Sequence, residues 1–261
     1  MNASFHEMVL LGRFFRTGGT LREAKRRMSG ARWSATSAHR QRMREIETCE
    51  FVRGLRDGSL PQHVYDRFAA QDAIFLEAFA RQYCELAGRA PRWSHVVALH
   101  RLAAAAIQER EQLHHGMNGA RSANATLKYI DGLRRFSATE PVPLASLAAL
   151  APCMSVYAHL GQLLQADPTF QASCESGSNP YTTWVATYAD PGFQSHAVEI
   201  EALLVEIEQD AARRSTSESD DDMDSRRHAV ALFLDDCYSF AMSMELEFFN
   251  AAWHHHPAPP P

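Results

Sequence analysis

The sequence has 261 residues and a formal net charge of −5, with 46% hydrophobic and 22% charged residues. This length suffices for one large domain with a well-buried core. The five cysteines include no CxxC pair, which argues against a zinc ribbon and a disulfide framework. We find no apolar run near the ~20 residues that a membrane helix requires, so no membrane span is expected.

Basic residues are concentrated at the N-terminal end. Residues 1–45 carry ten Lys or Arg against three Asp or Glu, whereas the remaining chain carries sixteen against twenty-eight. The acidic body would repel phosphate groups, so we expect no nucleic-acid partner. Residues 1–30 are Arg-rich and poor in acids, as in an organelle transit segment, although an ordinary N-terminal extension fits as well. We therefore expect a cytoplasmic protein, or a mitochondrial one if this segment is a transit peptide.

Hydrophobic residues follow a helical period through most of the remaining chain, and no run alternates as a β-strand would. The segments predicted to be helical are 34–56, 61–87, 91–116, 123–137, 143–166, 180–189, 193–210 and 225–253. The charged residues 213–227 predict a solvated loop, and residues 255–261 predict a disordered tail. Together these features predict an all-α, multi-helix bundle that forms a single domain over residues 31–254.

The stretch from Leu150 to Leu164 combines an apolar helix with a reactive residue type. Pro152 stands where a helix can begin, because its missing N–H is not needed in the first turn. Cys153 would then lie in that first turn, where unpaired backbone N–H groups and the helix dipole favour the nucleophilic thiolate. A buried, unreactive cysteine is the alternative.

Two acidic residues fall on the apolar faces of predicted helices. Asp72 shares its face with Phe75 and Phe79, and Glu245 has apolar residues one turn away on both sides, including Phe248. A carboxyl in such surroundings needs a buried partner or its pKa rises, and it can then act as a general acid. A structural role, bonded to a neighbouring helix, is the alternative for each.

Three tyrosines also lie on helical segments with an apolar side, namely Tyr129, Tyr157 and Tyr188. Several aromatic rings and two carboxylates would together suit a flat, nitrogen-rich ring, which the aromatic faces would sandwich while a carboxylate binds its N–H edge. Ordinary half-buried tyrosines are the alternative.

A metal site has weaker support. Glu111 and His114 form one Glu-x-x-His unit, which di-iron helical bundles use in pairs, and the sequence holds no second copy. We interpret this unit as a solvated pair on a helix surface and expect no metal ligands.

Six segments, in their order and spacing, resemble the TenA family (thiaminase II or aminopyrimidine aminohydrolase). They are FVRGLRDGSLP, the helix that contains FAAQD, TLKYIDGL, LAPCMSVYAHLGQLL, NPYTTWVATYAD and ELEFFNAAW. The likeness covers about residues 45–253 and implies the haem-oxygenase-like helical bundle of that family.

The resemblance also implies roles for individual residues. Cys153 would be the nucleophile that adds to a pyrimidine ring, and Glu245 the acid that protonates the substrate as the leaving group departs. Asp72 would hold the amino-pyrimidine edge by hydrogen bonds. The residues that would line and orient the ring are Phe75, Tyr129, Tyr157, Tyr188 and Phe248.

The implied reaction is hydrolysis of the C–N bond on the methylene arm of an aminopyrimidine, either thiamin or one of its degradation products. The product would be a hydroxymethylpyrimidine for thiamin salvage. This chemistry requires no metal and no organic cofactor, and the resemblance implies a homotetramer. Two alternatives stay open: an oxidase or oxygenase on the same fold, related to pyrroloquinoline-quinone synthase, and a non-catalytic pyrimidine-binding protein.

Overall fold

The computed structural model describes residues 37–114, 116–117, 119–138, 144–213 and 220–254. These residues form ten helices and no strand, so the all-α prediction is confirmed. The helices are α1 Ser37–Thr48, α2 Glu50–Asp57, α3 Gln62–Arg89, α4 Trp93–Leu113, α5 Asn124–Ala138, α6 Leu144–Gln165, α7 Pro168–Glu175, α8 Thr182–Ala189, α9 Pro191–Arg213 and α10 Asp220–His254. The predicted N-terminal extension (1–30) and tail (255–261) lie outside the described residues.

Helix α6 is the central element of the bundle and packs against α5, α8, α9 and α10. By length and composition its segment Ala145–Gln165 would suffice to cross a membrane, and 83% of its most apolar stretch is buried among the other helices. The expectation that no apolar run is as long as a membrane-spanning helix is therefore wrong for this helix. A helix that is apolar all round is typical of a bundle core, and its neighbours account for its composition.

The predicted helix start at Pro152 is also wrong. Pro152 lies inside α6, which begins two turns earlier at Leu144. Its missing N–H costs one backbone hydrogen bond, to the carbonyl of Ala148, and packing against four other helices holds the segment helical nonetheless. Cys153 is consequently an interior residue of the helix and has no unpaired helix-terminal N–H groups beside it.

Several other helix ends differ from the prediction. The predicted helix 34–56 is interrupted at Cys49, and α7 was missed although Asp167 caps it by accepting hydrogen bonds from the N–H groups of Thr169 and Phe170. The predicted loop 213–227 is wrong for residues 220–227, which belong to α10.

Three packing relations place the functional side chains. Helices α3 and α4 pack along each other, α5 and α10 both lie against α3 and α6, and α8 lies against α6. The approach of α8 to α6 is very close, because a Cβ on Gly161 would lie 2.4 Å from the carbonyl carbon of Tyr188. A glycine at 161 thus sets the position of Tyr188 against the centre of the bundle.

Candidate active site

Glu245 lies at the centre of a buried cluster of polar groups, with only 1% of its surface exposed. The hydroxyl of Tyr129, on α5, donates a hydrogen bond to its Oε1 atom at 2.7 Å. The Cys153 thiol is a second hydrogen-bond donor to the same carboxyl group. Burial raises the pKa of Glu245 to about 8, the hydrogen bonds opposing that rise. A carboxyl group with this pKa holds its proton near neutrality and can donate it.

The Cys153 thiol is 8% exposed, and its environment is the reverse of the one expected from sequence. Burial raises its pKa well above the ordinary value, and the neighbouring carboxyls of Glu245, Glu109 and Asp72 raise it further. The expectation of a thiolate at a helix N-terminus is therefore wrong, because α6 starts earlier and acids surround the sulfur. The thiol needs a base to become nucleophilic, and Glu245 is in hydrogen-bond contact with it.

Asp72 is also buried, and its partner is a residue that sequence analysis placed elsewhere. Nε2 of His114 lies 2.8 Å from Oδ2 of Asp72, with both side chains almost fully buried. The interpretation of Glu111 and His114 as a solvated pair is thus wrong for His114, which turns inward, while Glu111 forms an exposed ion pair with Arg110. Nδ1 of His114 is buried and has no hydrogen-bond partner among the described residues.

A third carboxyl group in the cluster was missed by the sequence analysis. Glu109, on α4, accepts a 2.7 Å hydrogen bond from the hydroxyl of Tyr188. Burial raises its pKa to about 8, and Asp72 and Glu245 add to the rise. The sequence did contain the signal, because Leu102, Ala106 and Leu113 share one helix face with Glu109, the same pattern that pointed to Asp72 and Glu245.

The two tyrosines that are bonded to Glu245 and Glu109 each pack against other aromatic rings. The ring of Phe75 lies 4.6 Å from that of Tyr129 and 5.9 Å from that of Phe248. The rings of Tyr157 and Tyr188 lie 4.8 Å apart. Both tyrosines have a strongly raised pKa, caused first by burial and then by negative neighbours that include Asp72 and Glu109.

One further buried donor belongs to this neighbourhood. The hydroxyl of Tyr83 is buried without a hydrogen-bond partner among the described residues. Its pKa is raised first by burial and then by the charges of Cys153 and Glu109, so it lies within electrostatic reach of both. Buried donors without partners are rare in proteins, and such groups commonly bind water or a ligand.

The structure therefore brings the eight residues singled out from sequence to one place, and adds Glu109, His114 and Tyr83. They converge from six helices, α3, α4, α5, α6, α8 and α10. The chemistry available is a thiol, three carboxyl groups, one imidazole and a set of flat rings. This combination suits a flat ligand that carries N–H groups or positive charge. Among the described residues, no three His, Cys, Asp or Glu side chains are grouped as a metal site would require.

Comparison with known proteins identifies the family. The sequence model of the TENA/THI-4/PQQC family matches residues 37–239, most of the chain. The chain belongs to the TENA/THI-4/PQQC family. This agrees with the resemblance to TenA found in the sequence.

Curated relatives are named for thiamine biosynthesis. The multifunctional thiamine biosynthesis protein ThiED of Corynebacterium efficiens is 28% identical over 230 residues, which cover 85% of this chain and 28% of that protein. The mitochondrial bifunctional TH2 protein of Arabidopsis thaliana is 26% identical over 224 residues, which cover 76% of this chain and 33% of that protein. The chain thus spans a third or less of the length of these two relatives.

Solved structures of TenA homologues share the fold. A protein of a Silicibacter species described as a TenA family transcription regulator is 21% identical, with a TM-score of 0.62 and coverage of 84% of this chain and 97% of that one. A putative TenA-like thiaminase from Sulfolobus solfataricus is 18% identical, with a TM-score of 0.56 and coverage of 82% and 90%. The fold is therefore the haem-oxygenase-like helical bundle of TenA proteins, as expected from sequence.

Proposed function

We propose that this member of the family hydrolyses the C–N bond on the methylene arm of an aminopyrimidine and releases a hydroxymethylpyrimidine. The observation that carries the proposal is the hydrogen bond of the Cys153 thiol to Glu245, in a buried cluster that also contains Asp72. This reaction needs a nucleophile in contact with an acid–base group, and next to them a second carboxyl group that can bind N–H groups.

The proposed reaction uses the thiol and Glu245 in sequence. Glu245, as carboxylate, takes the proton of Cys153, and the sulfur forms a bond to a carbon of the pyrimidine ring. The electrons displaced into the ring expel the nitrogen from the methylene carbon. A neutral amine takes its proton from Glu245 as it leaves, whereas an ammonium or thiazolium nitrogen leaves as the neutral amine or thiazole and Glu245 gives its proton to water afterwards. Water then bonds to the methylene carbon, the C–S bond breaks, and the thiol recovers a proton from that water. A carboxyl with a pKa of about 8 is suited to both taking and giving the proton near neutrality.

The remaining groups bind and orient the ring. Asp72 has one oxygen bound to His114, which leaves its other oxygen to accept hydrogen bonds from the amino-pyrimidine edge. Phe75, Tyr129 and Phe248 would lie against one part of the ring, and Tyr157 and Tyr188 against another. No metal or organic cofactor takes part in the proposed steps; water is the second substrate.

The test is a substrate panel. The full chain is incubated with thiamin, with an aminomethyl aminopyrimidine and with a formylated or otherwise modified aminomethyl analogue, and the hydroxymethylpyrimidine product and the released amine are measured. We expect turnover of at least one member. We expect Glu245→Gln to lower kcat by about 100-fold or more, because it can neither accept nor donate the proton.

Glu247→Gln is the matched control, because Glu247 lies two residues away and forms a surface ion pair with Lys128. It should retain the wild-type rate. Release of neither product from any member of the panel would overturn the proposal, and equal rates for both variants would overturn the role of Glu245.

A further inference from the structure

Glu109 connects the buried cluster to solvent. A surface cleft of about 420 Å³ lies between α4, α8 and α9, and its lining includes Glu109, Gln108, Gln112, Asp190 and His196. On its inner side, the Glu109 carboxyl accepts the hydrogen bond of Tyr188, whose side chain is fully buried. Glu109 therefore contacts an interior residue of the site while it borders an open cleft.

We propose that Glu109 is a charge-compensating acid of the site, which releases its proton into this cleft when a ligand with a cationic amine binds beside the buried carboxyls. The step is a single ionisation: the carboxylic acid becomes a carboxylate, and water in the cleft takes the proton. The inference deepens the proposed function and rests on it, since it specifies that the ligand arm is bound as a cation.

The charges around Glu109 support this role. The titratable groups that face it are Asp72 and Tyr83 from α3, Cys153 and Tyr157 from α6, Tyr188 from α8, Glu245 from α10, and Asp190 and His196 in the cleft. Acids predominate, so ionising another carboxyl there is unfavourable without a new positive charge. A bound ammonium group supplies that charge and favours the carboxylate form of Glu109.

Its position distinguishes Glu109 from Glu245, the other carboxyl group with a raised pKa. Glu245 is 1% exposed and is bonded to Tyr129 and Cys153, so it exchanges its proton with the Cys153 thiol inside the site. Glu109 is partly exposed, and the cleft gives its proton a path to bulk water. With a pKa of about 8 in the absence of ligand, Glu109 still holds a proton to release at pH 7.

The experiment measures proton release on binding. Cys153→Ala is used as the background so that the ligand is not consumed. Binding is followed by calorimetry at pH 7 in two buffers of different ionisation enthalpy. An aminomethyl aminopyrimidine is compared with the hydroxymethyl analogue, which has the same ring and no cation on its arm. The same measurement is made on two double variants. Cys153→Ala/Glu109→Gln tests Glu109, and Cys153→Ala/Glu111→Gln is the control, because Glu111 is exposed on the same helix.

We expect more protons to be released with the aminomethyl ligand than with the hydroxymethyl ligand. This difference should disappear with Glu109→Gln and persist with Glu111→Gln. If it persists with Glu109→Gln, or disappears only when Glu245→Gln is introduced instead, the inference is wrong while the proposed function stands. If neither pyrimidine binds and the wild type shows no turnover, both fail.

A second measurement covers the case in which Glu109→Gln does not fold. In the Cys153→Ala protein, affinity for the aminomethyl ligand should rise more steeply between pH 6.5 and about 7.5 than affinity for the hydroxymethyl ligand. Equal slopes for the two ligands would contradict the inference without any change at position 109.

Discussion

The pair formed by Asp72 and His114 joins α3 to the C-terminal end of α4 within the site. Removing one partner of a buried pair leaves the other unpaired in a low-dielectric interior, which typically costs about 3–5 kcal/mol. We therefore expect His114→Ala to lower the free energy of unfolding by about 3 kcal/mol in urea titrations. His63→Ala, at an exposed position on α3, should change it by less than about 0.5 kcal/mol. Equal, small effects of both changes would show that the pair contributes little.

Glu245 makes stability depend on pH. Its folded-state pKa is raised from 4.5 to about 8, so between these values the folded protein holds a proton that the unfolded chain has lost. The free energy of unfolding should therefore fall as pH rises from about 4.5 to about 8. Glutamine at position 245 stays neutral, so Glu245→Gln should make the free energy of unfolding fall less steeply with pH. The fall that is left comes from Glu109, whose pKa is also raised. Chemical denaturation across this pH range measures it.

Glu247→Gln is again the control, and its pH profile of stability should match that of the wild type. A variant at 245 whose profile matches the wild type as well would contradict the burial of an ionisable Glu245.

At the residue scale, one pattern carried most of the predictive information. A carboxyl on an apolar helix face points inward, and this reasoning found Asp72 and Glu245 from sequence and would have found Glu109. Cys153, the proposed nucleophile, was singled out for the wrong reason, because its surroundings raise rather than lower the pKa of its thiol. His114 was misplaced because its partner, Asp72, is 42 residues away, and no local pattern shows a contact at that separation.

Helix contact explains why position 161 holds glycine. An alanine there would place its Cβ 2.4–2.7 Å from backbone atoms of Tyr188 and Ala189, which cannot move without shifting α8 away from α6. We expect Gly161→Ala to lower the free energy of unfolding by about 2 kcal/mol and to reduce turnover by displacing Tyr188. Thermal or urea unfolding, together with the rate of amine release, measures both effects.

Gly88→Ala is the matched control, since Gly88 is also helical and nothing lies within 4 Å of its added Cβ. It should be neutral or stabilising by up to about 1 kcal/mol, because alanine favours helix. A Gly161→Ala protein as stable and active as Gly88→Ala would contradict the close packing of α6 and α8.

At the element scale, helical periodicity located most of the helices but not all of their ends. Pro152 indicated a start because proline is common there, yet packing on several sides keeps it inside α6. Residues 220–227 looked like a loop because they are highly charged, yet they are helical. A run of charged residues indicates that a segment favours contact with water, but it does not distinguish a helix from a loop.

The outer face of α4 carries an exposed apolar stripe. Trp93 is 78% exposed, Val97 39% and Ile107 52%, and their spacing places them on one side of the helix. We propose that this stripe contributes to contact between copies of the chain in the expected homotetramer. Light scattering should give the mass of four chains for the wild type and a smaller mass for Trp93→Glu. A monomeric wild type would contradict the homotetramer, and a tetrameric Trp93→Glu would remove the stripe from its interface.

At the scale of the whole molecule, the fold class and the family were readable from sequence, whereas the joint environment of the site was not. Groups from α3, α4, α6 and α10 share one buried space. Asp72 and Glu245 raise the pKa of Glu109, and the three carboxyl groups together raise the pKa of the thiol. Such mutual effects depend on distances between helices that are up to 173 residues apart in the chain, from Asp72 to Glu245. Only the assembled bundle shows that three carboxyl groups and one thiol lie together.

The proposed role of Cys153 as the nucleophile is tested most directly by the initial rate of amine release from an aminomethyl aminopyrimidine. The rates of the wild type, Cys153→Ser and Cys237→Ser are compared. Cys237 is another fully buried cysteine, on α10, so its replacement controls for burial alone. We expect Cys153→Ser to lose more than about 100-fold in rate while Cys237→Ser keeps most of it. Comparable rates for Cys153→Ser and the wild type would contradict the assignment of Cys153 as the nucleophile.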